Sequence, residues 1–133
     1  MSFEIFVAAF EGGEPRAFPT AILEETFRPY VQTKSDGCWV LQFADGGAPE
    51  VFVATAGNVD NFMVSRPPRS LEFWSALLEV MRRTRAICFW PGGDRPVVAI
   101  DGVEADLPMD MLEALGRPIK LEDAAAFRAE IER

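Results

Sequence analysis

Residues 38–55, CWVLQFADGGAPEVFVAT, decide the architecture. Two runs of β-forming apolar residues, 38–43 and 51–55, flank Asp45-Gly46-Gly47, and this spacing predicts a hairpin. A hairpin forces its two strands to pair antiparallel, which separates the chain from the parallel α/β folds. The same grammar recurs downstream, where AICFW at 86–90 and PVVAI at 96–100 flank the glycine-rich Pro91-Gly92-Gly93-Asp94-Arg95.

Upstream, FEIFVAAF at 3–10 is apolar on both parities, which predicts a strand largely covered on both faces. Gly12-Gly13-Glu14-Pro15 ends it. Pro19 then precedes TAILEETF at 20–27, a short helix stopped by Pro29. Ser35-Asp36-Gly37 is a turn signal, and NFMVS at 61–65 reads as a short edge or exit strand closed by Pro67-Pro68.

The strongest helix follows Ser70, a candidate N-cap, with Trp74, Leu77, Leu78 and Met81 on one face and Phe73 and Val80 widening it. Arg82 and Arg83 close it, where the helix dipole favours cations and Glu79 is in reach. Pro108 opens a short helix carrying Met111, Leu112 and Leu115, capped by Gly116. A final helix from about Glu122 places Ala124, Phe127 and Ile131 on one side.

The expected order is therefore β-α-β-β-(β)-α-β-β-α-α, an α+β fold whose mainly antiparallel sheet of about five or six strands carries helices on one face. Its first elements match an elaborated ferredoxin-like βαββαβ arrangement, with 61–65 as a decoration. No repeat or linker interrupts the chain, so 1–133 reads as a single domain.

The 133 residues include no histidine, which excludes Ser-His-Asp and Cys-His constellations and imidazole metal sites. Cys38 and Cys88 are not spaced for zinc and read as reduced core thiols. Acids at Asp101, Glu104, Asp106 and Asp110 do not follow a calcium-loop pattern and read as a solvated surface. No metal or cofactor is expected, no catalytic residue is assigned, and binding is favoured over catalysis. No run is long enough to span a bilayer, and Met1-Ser2-Phe3-Glu4 lacks the basic start of a signal peptide, so a cytoplasmic protein is expected. Eleven arginines against two lysines point to a GC-rich, bacterial genome.

The net charge of −8 argues against nucleic acid or an anionic membrane as partner. The charge is uneven: residues 1–65 carry −6, residues 66–95 carry +3 and residues 96–133 carry −5. Within the basic island, Arg66, Arg69 and Ser70 lie around the start of the main helix and form a candidate anion pocket for a carboxylate or phosphate. Against this stands simple pairing of the arginines with nearby acids. The Pro91–Asp94 loop lacks the lysine and following helix of a phosphate loop, and its glycines suit a tight turn. Phe89, Trp90, Gly92 and Gly93 form a candidate interface, with Trp90 either an exposed anchor or a cover for the end of the sheet.

FMVxRPP at 62–68, WPGG at 90–93 and LPxDM…LG at 107–116 together resemble a group of small, uncharacterised bacterial single-domain proteins. The resemblance implies no assigned activity and no catalytic residues. Three functional expectations remain open. The first is an acidic interaction module, regulatory or immunity-like, that binds a basic protein partner. The second is a small-molecule binder or histidine-free enzyme built on the arginine pocket, and the third is a homodimer formed through an exposed edge strand.

Overall fold

A computed structural model describes residues 3–54 and 57–132. In chain order the elements are β1 (Glu4–Glu11), β2 (Glu14–Pro15), β3 (Phe18–Pro19), α1 (Thr20–Phe27), β4 (Val31–Ser35), β5 (Cys38–Leu41), β6 (Glu50–Phe52), β7 (Asn58–Val59) and β8 (Asn61–Ser65). Then come α2 (Leu71–Thr84), β9 (Ala86–Phe89), β10 (Val97–Val98), α3 (Met109–Leu115), β11 (Ile119–Lys120) and α4 (Ala124–Glu132). Short 3-10 turns at Arg28–Tyr30 and Val103–Asp106 complete the path. Thr55, the expected end of the second strand of the opening hairpin, lies outside the described residues.

The main sheet runs β11-β10-β9-β1-β8-β6-β5-β4. Its pairs are antiparallel apart from β10 with β11, so the fold is α+β with a mainly antiparallel sheet. The hairpin of 38–55 is β5 paired with β6, Trp39 opposite Val51. The order β9-β1-β8-β6 is the 4-1-3-2 order of a ferredoxin-like core, extended beyond β6 by β5 and β4. Residues 61–65 thereby move from decoration to centre: β8 lies between β1 and β6 and pairs with both. Five residues of mixed polarity gave no sign of this, because a strand's position in a sheet is set by its neighbours.

β4 was not expected from the sequence, because VQTKS has no apolar alternation. Four of its five residues are exposed, and it is held by its backbone ladder to β5. It lies at the sheet edge, where Lys34 and a register shift between Val31 and Thr33 are features that discourage a further strand from pairing.

Helix α2 forms as its spacing predicts, burying Phe73, Trp74, Leu77, Leu78, Val80, Met81 and Thr84 on one side. Ser70 occupies the N-cap position, but its hydroxyl makes no capping bond; Phe73 N–H bonds the Ser70 carbonyl at 3.2 Å. At the other end Arg85 takes the left-handed conformation (φ 59°) that glycine favours, which costs about 1 kcal/mol. Its guanidinium reaches Asp106 Oδ2 at 3.3 Å, tying the helix end to the second 3-10 turn.

α1, α2 and α4 cover the same face of the sheet. Ile5, Val7 and Ala9 of β1, Val64 of β8, Val51 of β6 and Trp39 of β5 meet them there, each at most 2 % exposed. An aromatic chain binds these layers: Phe27 stacks on Phe73, Phe73 meets Phe43 and Trp74 edge-on, and Trp74 packs at 4.9 Å against Phe127. Trp74 Nε1 also donates to the Pro68 carbonyl at 3.0 Å, which satisfies its buried polar atom. A smaller apolar cluster of Ile87, Val98, Val103 and Leu107 occupies the opposite face at the β9–β10 end, partly covered by Met111 and Leu112 of α3.

Candidate functional site

Among the described residues, no helix covers the opposite face of β5, β6, β8 and β1 in this way. Register places Cys38, Phe52, Met63, Phe6 and Phe89 side by side across β5, β6, β8, β1 and β9. All five are half-buried, while the residues that alternate with them in these strands are buried. Adjacent strands lie about 4.8 Å apart, so this apolar stripe runs roughly 19 Å. Phe6 and Phe89 stack at its far end with ring centroids 5.6 Å apart. The expectation that 3–10 is covered on both faces therefore holds for one parity: Ile5, Val7 and Ala9 are buried, and Phe6, Ala8 and Phe10 are half-buried.

A more polar row runs beside the stripe. Glu50, Ser65 and Glu4 line up across β6, β8 and β1, with Val40 of β5 at the end. Glu50 is its hub: Oε1 accepts from Arg66 Nη2, and Oε2 accepts from the Cys38 thiol at 3.6 Å. Burial, with the adjacent Glu50 carboxylate adding to it, pushes the Cys38 thiol above its ordinary range. A nucleophilic cysteine needs the reverse, a nearby cation and a lowered value, so this pair does not prepare a thiolate. Cys88, buried on the helix side of β9, is pushed up further by burial alone.

The candidate anion pocket does not assemble. Arg66, in a left-handed backbone conformation (φ 54°), turns to Glu50 on the open face. Arg69 pairs with Glu132 of α4 at 3.5 Å on the helix side, and its carbonyl accepts from Arg128 at 2.9 Å. The two guanidinium groups thus serve opposite faces, because the chain passes from the open face to the helix side beyond the end of β8. The rest of the basic island is also paired: Arg82 with Glu79, Arg83 with Glu25, Arg85 with Asp106 and Arg95 with Glu130. Pairing with acids is what the tertiary structure selects.

Of the candidate interface, Phe89 lies on the stripe, but Trp90 does not. Trp90 is 8 % exposed and belongs to the main core, so its reading as an exposed anchor is corrected. The Pro91–Gly93 turn folds over its indole: a Cβ at Gly93 would fall 2.7 Å from Trp90 Nε1, closer than atoms can approach. Gly92 supplies the positive φ (81°) of the same turn. Both glycines therefore serve the turn that roofs Trp90 rather than a contact surface of their own.

The acidic loop serves the fold as well. Asp106 Oδ1 accepts from Gly12 N–H at 3.2 Å, and its carbonyl accepts from Gly13 N–H at 2.9 Å. The Gly12 N–H, followed by the Arg85 guanidinium and the charge of Arg16, holds the Asp106 carboxyl below its ordinary value. Among the described residues, no group of three or more acidic or thiol side chains is placed to hold a metal ion. No described helix is long and apolar enough to cross a membrane.

Sequence reasoning missed the stripe, although one signal was present. Phe6, Phe52, Met63 and Phe89 each sit next to core residues at strand parity, but only the pairing registers show that they fall in one line. A larger groove of about 620 Å³ lies between α1 and α2, lined by residues such as Tyr30, Leu71 and Ala76. Of its four rim charges, Glu25, Glu79 and Arg83 are engaged in ion pairs, and we take the open sheet face as the stronger candidate. No protein-family model, curated protein or solved structure matches this chain.

Proposed function

We propose that this chain is a cytoplasmic interaction module, of regulatory or immunity-like type and without catalytic residues of its own, that docks a basic protein on the open face of its sheet. The observation that carries this reading is the half-buried row Cys38-Phe52-Met63-Phe6-Phe89, which meets the α3-covered cluster only at its Phe89 end. Contiguous half-exposed aromatic and sulfur side chains cost free energy in water, and such patches mark sites of association. The partner's charge follows from the surroundings. The net charge is −8, the cations of the 66–95 segment are spent on internal pairs, and Glu4 lines the stripe beside the Glu50–Arg66 pair. A basic partner would be steered to this face, with apolar contact holding it there.

The test uses the protein immobilised at low salt beside its Met63→Glu variant, both checked for folding by thermal melting. A basic partner should be retained by the parent chain and released by salt. Met63→Glu should lose it, although the variant is more acidic. Equal retention by the variant would mean that charge alone recruits the partner, and the docking face would be rejected. Self-association that vanishes in Met63→Glu, seen by sedimentation, would instead identify a second copy of the chain as the occupant and overturn the basic-partner reading.

A further inference from the structure

The open face ends in a depression of about 250 Å³, lined by Phe6, Ala8, Phe10, Pro15, Asp60 and Phe89, among others. We propose that this depression seats one arginine side chain of the basic partner, its guanidinium stacked on the phenylalanine rings and paired with Asp60. The inference rests on the docking face proposed above and names the group that face recognises.

Three observations converge on a guanidinium. The first is size: sites for whole small molecules span roughly 300–1,000 Å³, so this one suits a single side chain. The second is the lining. Phe6 and Phe89, both in the lining, stack with an interplanar angle of 22°, and aromatic rings carry a negative quadrupole that attracts a flat cation. Arginine suits this better than lysine, because its planar, weakly hydrated head stacks and its fork matches a carboxylate.

The third is the charge at the rim. Ala9 N–H donates to the Asp60 carbonyl at 3.0 Å, fixing that residue at the top of β1 and β8. Asn61 Nδ2 donates to Asp60 Oδ1, orienting the carboxylate and leaving Oδ2 for an incoming donor. The adjoining β1–β2 hairpin sets Glu11 directly opposite Glu14, a like-charge pair that costs stability and lends the rim a negative field. Arg16, which follows the hairpin with its N–H on the Ala9 carbonyl at 2.9 Å, is near enough to Asp106 to help lower that carboxyl.

The experiment titrates hexa-arginine and, separately, hexa-lysine into isotopically labelled protein and follows backbone amide shifts. The expected result is saturable movement of the Ala8, Asn61 and Phe89 amides, with hexa-arginine binding about five-fold tighter than hexa-lysine. Asp60→Asn should weaken hexa-arginine binding. Phe89→Leu, which keeps an apolar side chain but removes the ring, should erase the preference over lysine and guards against misfolding of the first variant. Equal affinity for the two peptides, or shifts centred on Glu11, Glu14 or the acids of α2, would overturn the arginine seat. That failure leaves the docking face standing, because Met63→Glu and the captured partner report on it separately.

Discussion

Phe62 and Met63 are neighbours in one strand, yet they belong to two different surfaces. Phe62 is 2 % exposed and faces α1, α2 and α4 through Val7 of β1, whereas Met63 lies half-buried between Phe52 and Phe6 on the face those helices leave open. Both faces are apolar, and the difference lies in what covers them. The covered face accounts for stability; the uncovered one holds apolar area in water that folding alone does not require. That contrast is the physical basis for reading the open face as a place of association.

The sharpest way to break the comparison is to truncate both neighbours. Phe62→Ala should cost about 3–5 kcal/mol in urea unfolding, the range for a large ring removed from a packed core. Met63→Ala should cost about 1 kcal/mol or less, since much of its surface already meets water. If the two costs were equal, the open face would be a second structural core and the docking proposal would lose its ground.

A second, smaller effect tests the end of the sheet where the Trp90 indole is roofed. Gly93→Ala forces a Cβ into the indole and should destabilise by roughly 1–3 kcal/mol, with a shift in tryptophan emission as Trp90 yields. An unchanged melting midpoint and spectrum would show that the turn adapts freely and that Trp90 is less confined than its burial indicates.

Asp106 gives a pH-dependent effect. Its folded-state value is lowered, so the unfolded chain binds the proton more readily, and the carboxylate's contribution is present above the ordinary aspartate value. It should therefore be complete at neutral pH and drain away as acid takes the protein from that ordinary value down through the lowered one. Asp106→Asn should flatten this part of the stability–pH curve; an identical curve for the variant would remove Asp106 from the account.

The smallest expected change is Arg83→Ala. It breaks an exposed pair with Glu25 at 3.1 Å between α2 and α1, and such pairs contribute about 0–1 kcal/mol. A larger loss on denaturation would mean that the helix layer depends on its surface charges as well as on its aromatic core.

How much was legible from the chain depended on the kind of information each element carried. α1, α2 and the β5–β6 and β9–β10 hairpins were readable, because helical periodicity and turn chemistry are local properties. β4 was not, because VQTKS is a mostly exposed edge strand with no apolar alternation, placed by its backbone ladder to β5. The arginine island was visible as a charge excess, but not the fact that Arg66 and Arg69 turn to opposite faces. Trp90 was ambiguous for the same reason, since an aromatic beside a glycine turn can project outward or be covered by the turn itself.

By itself the sequence determined an antiparallel α+β domain, an amphipathic main helix, an acidic surface and the lack of histidine chemistry. These follow from composition and from contacts within a few residues. Only the tertiary structure decided that β8 is central, that the basic island is spent on ion pairs, and that Cys38, Phe52, Met63, Phe6 and Phe89 form one stripe. Those outcomes depend on strand order and register, which join residues tens of positions apart, and a single-residue slip of any one strand would carry its member of the stripe to the other face.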